Sequence, residues 1–130
     1  MTNNQQIFDK IRRKYVALTP EEEVRQLTVN ILNKNFNYPL TRFSLEAQIN
    51  VGQRKKRYDI IVRDSQGKPF MLVECKAKSV EINEQTFLQA SAYNLNLNAP
   101  YILLTNSVTT LLFHKTPQGY IQQATIPELL

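Results

Sequence analysis

Glu74-Cys75-Lys76 closes the apolar run Phe70-Met71-Leu72-Val73. Burying charge at the end of such a run costs on the order of several kcal/mol unless the charge is paired or binds something. Side chains alternate along a strand, so Glu74 and Lys76 share one face and Cys75 points to the other. Asp59 stands within a second apolar run, Tyr58 to Val62, although Asp is depleted in strands. Asp64-Ser65-Gln66-Gly67-Lys68-Pro69 lies between the runs and reads as a turn. A hairpin would therefore set Asp59 and Glu74 on neighbouring strands. Two carboxylates with an ammonium beside them suit a hard divalent cation next to a phosphate. Phosphodiester hydrolysis uses that combination: the cation neutralises the phosphate and acidifies water, and the lysine orients that water or stabilises developing charge.

Each part also has an ordinary reading. Glu-x-Lys alone is most often a surface ion pair, and Asp59 on the adjacent strand is what raises the chemical one. Gln89 and Tyr93 are four apart in a helical stretch and share a face. They are either helix-surface residues or groups reaching back towards phosphate or base. Arg54-Lys55-Lys56-Arg57 is either a charged edge that discourages strand pairing or a phosphate-contacting patch. Beside a candidate nuclease site the second reading is favoured, with Lys10, Arg12, Arg13 and Lys14 adding to it. Glu46 is expected on the polar face of its strand, either near the site or, as is commoner for such a residue, simply exposed; His114 is expected to be structural, and Cys75 to be a buried small hydrophobe.

The elements that must position these groups can be read from periodicity. Residues 5 to 15 are expected as a short basic helix with Ile7, Phe8 and Ile11 on one face. Thr19-Pro20-Glu21-Glu22 is a helix start with a cap, a first-turn proline and acids at the positive end. Val24, Leu27, Thr28, Ile31 and Leu32 form the apolar face of that helix, which ends near residues 33–35. Phe43, Leu45, Ala47 and Ile49 alternate with polar residues and form a half-buried strand. Strands over 58–62 and 70–77 follow, then a helix over 83–97 with Phe87, Ala90, Asn94 and Leu97 along one stripe. Strands over 101–105 and 109–114 complete the core. The order α-β-β-β-α-β-β implies an α/β (α+β) domain, a mixed β-sheet flanked by helices with the site at one edge. One domain is expected over 1–130, its core about 14–115, with a C-terminal tail over 116–130.

The sequence has 130 residues and a net charge of +5, which suits a polyanionic partner. One cysteine and one histidine leave no intrachain disulfide and no ordinary structural zinc site. Any metal would be held by oxygen, which favours Mg²⁺ with Mn²⁺ as a substitute. The three glycines form neither GxxxxGK[ST] nor GxGxxG. No apolar run reaches membrane-spanning length and the start lacks a signal-peptide core, so a cytoplasmic protein without membrane contact is expected.

The run RYDIIVRDSQGKPFMLVECKAKSV, followed by QASAY and PYILLTN, resembles the N-terminal nuclease domain of type I restriction enzyme R subunits, within the PD-(D/E)xK superfamily. KYVALTPEEEVRQ resembles the same group, and the likeness spans about residues 14 to 106. It implies a restriction-endonuclease-like core and Mg²⁺-dependent endonuclease activity on DNA. Asp59 and Glu74 would bind metal, Lys76 would be the catalytic lysine, and Gln89 and Tyr93 would form the Gln-xxx-Tyr element. The family also uses a glutamate of the first helix. Glu22, three residues before Arg25, fits its Glu-x-x-Arg pattern, with Glu21 and Glu23 left open. Tyr58 stands where the superfamily name has Pro. R subunits also carry an ATP-driven translocase, for which this sequence has no motif, so a stand-alone domain is expected. Partners would be DNA, a second copy of the chain, or restriction or repair subunits. No residue separates DNA from RNA. The alternative is a non-cleaving nucleic-acid-binding or assembly module on the same fold.

Overall fold

The computed structural model describes residues 5–130. A hairpin of β1 (Gln6–Asp9) and β2 (Lys14–Ala17) precedes α1 (Pro20–Phe36). A single 3-10 turn, Leu40–Arg42, leads into β3 (Phe43–Val51), β4 (Arg54–Arg63) and β5 (Pro69–Cys75). Then come α2 (Glu84–Leu97), β6 (Tyr101–Thr105), β7 (Thr110–Thr116) and β8 (Gly119–Gln123). Strands β3 to β8 form one six-stranded sheet in sequence order. All its neighbours are antiparallel except β5 and β6. That parallel pair needs a crossover, which α2 supplies. The expected α-β-β-β-α-β-β order is therefore present from α1 to β7.

Both helices start as their sequences require. Thr19 accepts from the Glu22 amide at 3.1 Å, with Pro20 in the first turn. Asn83 and Thr86 form a reciprocal capping box at the start of α2. Asn37 and Asn98 end the helices in the left-handed region. Val24, Val29 and Leu32 of α1 pack on one sheet face with Phe43, Val62 and Met71. Ala90 and Leu97 of α2 pack on the other with Ile61, Leu72 and Ile102.

Several expectations are corrected. Residues 5–15 do not form a basic helix. Ile7 pairs with Val16 and Phe8 with Tyr15, the cross-strand partners that β-branched and aromatic residues favour. Buried Asp9 accepts from the Ile11 and Arg12 amides and holds the intervening turn. The 116–130 tail contains β8, paired to β7 around Pro117-Gln118, and Ile126 and Leu129 pack on the core. The cationic run Arg54–Arg57 forms the first part of β4.

The alternation Phe43, Leu45, Ala47, Ile49 does not mark one face. Phe43 and Leu45 join the α1 cluster, while Ala47 and Ile49 pack in the α2 cluster. Strand β4 does the same: Ile60 and Val62 face α1, and Tyr58 faces α2. Residues two apart on an unbroken strand point the same way. Both strands must therefore change face between these residues, at Glu46 and Asp59. Glu46 has φ +50°, the left-handed region, and the flanking pairs Leu45↔Ile60 and Ala47↔Tyr58 set it opposite Asp59.

Candidate active site

The ladder between β4 and β5 runs up to the pair Ile60↔Val73. The next step would pair Asp59 with Glu74. Instead Asp59 Oδ2 accepts from the Cys75 amide at 2.9 Å, so a side chain replaces a backbone partner. The Lys76 amide donates to Thr105 O at 2.9 Å, so the chain follows β6 and leaves β4. The parted strands open a cleft of about 520 Å³ beneath α2. It lies where β4 and β5 separate, with Glu46 of the edge strand β3 also on its wall.

Strand alternation brings Glu74 and Lys76 into this cleft and sends Cys75 into the α1 cluster. Helix α2 contributes Gln89 and Tyr93, and β4 contributes Asp59 and Arg57. Tyr58, in the superfamily's proline position, is fully buried and donates its hydroxyl to Tyr93 O at 3.1 Å. Its ring meets that of Tyr93 edge-on at 6.0 Å, which locks α2 over β4. Lys56 Nζ lies 5.4 Å from the Tyr93 ring centroid, within cation–π range. Arg54 and Lys55 are exposed further along the strand.

Of the three adjacent glutamates, Glu21 lines the cleft. Glu23 lies in a separate small pocket with Pro20 and Lys78. Glu22, singled out by the Glu-x-x-Arg spacing, does pair with Arg25 at 2.8 Å but is not part of the cleft wall. Its Oε1 also accepts from Arg12 at 2.5 Å and its Oε2 from Gln26 at 3.2 Å, so both oxygens are occupied. Arg12, expected to meet phosphate, is instead taken up by Asp9, Glu22 and Glu46. Lys10, Arg13 and Lys14 remain exposed on the hairpin. His114 stacks on Tyr101 at 4.6 Å, away from the cleft.

One group at the site, Arg25, was not assigned from sequence. Arg25 donates from Nη2 to Asp59 Oδ1 at 2.8 Å and to Glu21 Oε1 at 3.3 Å. Its spacing to Glu21 and Glu22 is a visible helix signal, but its reach to Asp59 is tertiary. Of the two readings of Glu46, near the site or simply exposed, the structure has the first: the face switch turns it into the cleft wall.

Burial raises the pKa of Glu74, and the Asp59 charge beside it adds to this, so that it is pushed up to about 8 although Lys76 opposes the shift. Burial and the same neighbour raise Glu21. Glu74 Oε1 is buried without a hydrogen-bond partner. Clustered carboxylates, one with an orphaned oxygen, form a hard-oxygen donor set suited to Mg²⁺ or Mn²⁺. Among the described residues no three His, Cys, Asp or Glu side chains converge as a ready-made metal cage. No helix among the described residues is long and apolar enough to cross a membrane.

The family model described as type I restriction enzyme R protein N terminus matches residues 20–127. No curated protein matches the chain. Among solved structures, a proposed nuclease belonging to DUF820 from Anabaena variabilis is similar over 97% of this chain and 82% of that one, with TM-score 0.53 and 14% identity. At that identity the likeness speaks for the fold. The type IIG restriction endonuclease BpuSI aligns with 74% of this chain at TM-score 0.49 and 22% identity, and the chain spans 11% of its length. The fold is thus that of the restriction-endonuclease-like nucleases.

Proposed function

The chain belongs to the type I restriction enzyme R protein N-terminus family, and from that premise we propose that it is a divalent-metal-dependent endonuclease acting on DNA. The observation that carries this reading is the single cleft that gathers Asp59, Glu74, Lys76, Gln89 and Tyr93, with Glu74 Oε1 left unpaired. Asp59 and Glu74 would hold Mg²⁺, or Mn²⁺ in its place, with Glu21 as a third carboxylate on the wall. The ion supplies positive charge against the scissile phosphate and makes nearby water more acidic.

The chain's own groups do the rest. Lys76 shares the Glu74 face and presents its ammonium to the attacking water and to the charge that develops on phosphate. Gln89 and Tyr93, one helical turn apart, hold the phosphate or base over the carboxylates. Tyr58 fixes their height above the sheet through the Tyr93 carbonyl. Arg57 on the cleft wall and exposed Arg54 and Lys55 contact phosphates on either side. The net charge of +5 favours approach of the polyanion.

The test is cleavage of labelled plasmid and labelled single strand by the purified chain, with Mg²⁺, with Mn²⁺ and with EDTA, beside Lys76→Ala. Metal-dependent products that vanish in the variant are expected. Full cleavage by Lys76→Ala would overturn the mechanism. Salt-dependent DNA binding with no product under any condition would assign the chain to the non-cleaving module.

A further inference from the structure

Arg12 lies outside the matched family region, on the turn of the β1–β2 hairpin, yet it joins the carboxylates that surround Arg25. Its guanidinium is bound at three corners: by Asp9, by Glu22 Oε1 at 2.5 Å and by Glu46 Oε2 at 2.9 Å. Arg25 draws on the same acids, binding Glu22 Oε1 at 2.8 Å and lying 3.7 Å from Glu46 Oε1. It also binds Asp59 Oδ1 at 2.8 Å. Arg12 never touches Asp59, but the two arginines share both intervening glutamates. We infer that Arg12 is a positioning residue for Asp59. It neutralises Glu22 and Glu46 so that Arg25 keeps one arm for the candidate metal-binding carboxylate.

The physical reason is competition for one cation. Asp9, Glu22 and Glu46 sit on three elements, and only a planar fork with several donors meets all three at once. Buried Asp9 anchors the fork by accepting from the Arg12 amide as well as its side chain. Without that second cation, Glu22 and Glu46 would both fall to Arg25, and its Nη2 would leave Asp59. Asp59 would then be held only by the Cys75 amide and would rotate away from the geometry shared with Glu74. The hairpin is in this sense a brace for the cleft, attached by one side chain.

The inference rests on the nuclease reading for its kinetic consequence and on geometry alone for its structural one, so two measurements are needed. The first is urea unfolding of metal-free Arg12→Gln, Asp59→Asn and the double variant. Once Asp59 no longer claims it, Arg25 can serve Glu22 and Glu46. Arg12→Gln should therefore lower the urea midpoint less in the Asp59→Asn background than in the wild-type one. Equal losses in both backgrounds overturn the coupling. The second is DNA cleavage. Arg12→Gln should lower kcat about ten-fold, the scale seen for outer partners of metal ligands, with KM for DNA unchanged. Adding Glu22→Gln removes one competitor for Arg25 and should restore most of the rate. A destabilised scaffold would instead make the double variant worse. An Arg12→Gln enzyme with wild-type kcat overturns the proposal. If the wild-type chain does not cleave, the nuclease reading fails and the urea cycle still decides. If Arg12→Gln does not fold, the cycle is run with Arg12→Lys, whose single ammonium cannot serve three carboxylates.

Discussion

Glu22 and Glu74 are both acids among buried neighbours, and they are treated in opposite ways. Glu22 has both oxygens occupied, by Arg12, Arg25 and Gln26. Glu74 has Asp59 for a neighbour, one oxygen without a partner, and a pKa raised to about 8. Glu22 is hydrogen-bonded by two guanidiniums, whereas Glu74 has only the Lys76 charge to oppose its burial. A carboxylate left short of protein partners is stabilised by whatever binds it, which is the role the proposed function gives Glu74.

The largest expected effect sharpens this contrast at Lys76, whose side chain lines the cleft with Glu74. Lys76→Ala should lower kcat by about 10²–10³-fold, as loss of a preorganised electrostatic group typically does, with little change in the urea midpoint. Next is the paired side. Glu22→Ala leaves two guanidiniums short of an acceptor and should cost about 3 kcal/mol of stability, the lower end for breaking a buried pair. Urea denaturation measures it, and a neutral result would break the comparison.

A third prediction concerns pH. The Glu74 pKa is raised in the folded state, from an ordinary 4.5 to about 8, so between those values the folded chain binds more protons than the unfolded one. Its stabilising contribution is present below pH 4.5 and is lost as pH rises through 8. The metal-free urea midpoint should therefore carry a falling component over that window, which Glu74→Gln removes and saturating Mg²⁺ flattens. An identical profile in the Gln variant would refute it. The smallest effect lies outside both acid groups: Lys55→Ala should weaken DNA binding a few-fold and reduce the salt-dependence slope by about 1.

Part of the site was legible because strand alternation holds through Glu74-Cys75-Lys76. A mid-strand Asp59 and a Glu74-x-Lys76 that could share a face were enough to expect converging carboxylates. The Gln89–Tyr93 spacing placed both on one helical turn. The β1–β2 hairpin was misread because Ile7, Phe8 and Ile11 also fit a helical stripe over so short a stretch. Strand β8 was missed because a five-residue strand after Thr116-Pro117-Gln118-Gly119 carries little periodic signal.

Residue types and spacing by themselves determined the order of core elements, the capped start of α1, and the shared face of Glu74 and Lys76. These follow from local geometry, which repeats every 2 or 3.6 residues. Only the tertiary structure decided that Glu21 and not Glu22 lines the cleft, that Glu46 is turned into the site, and that Arg12 reaches across from the hairpin. Each of those depends on where β3 and β4 change face and on which cation lies nearest in space, and neither is written in the neighbouring sequence.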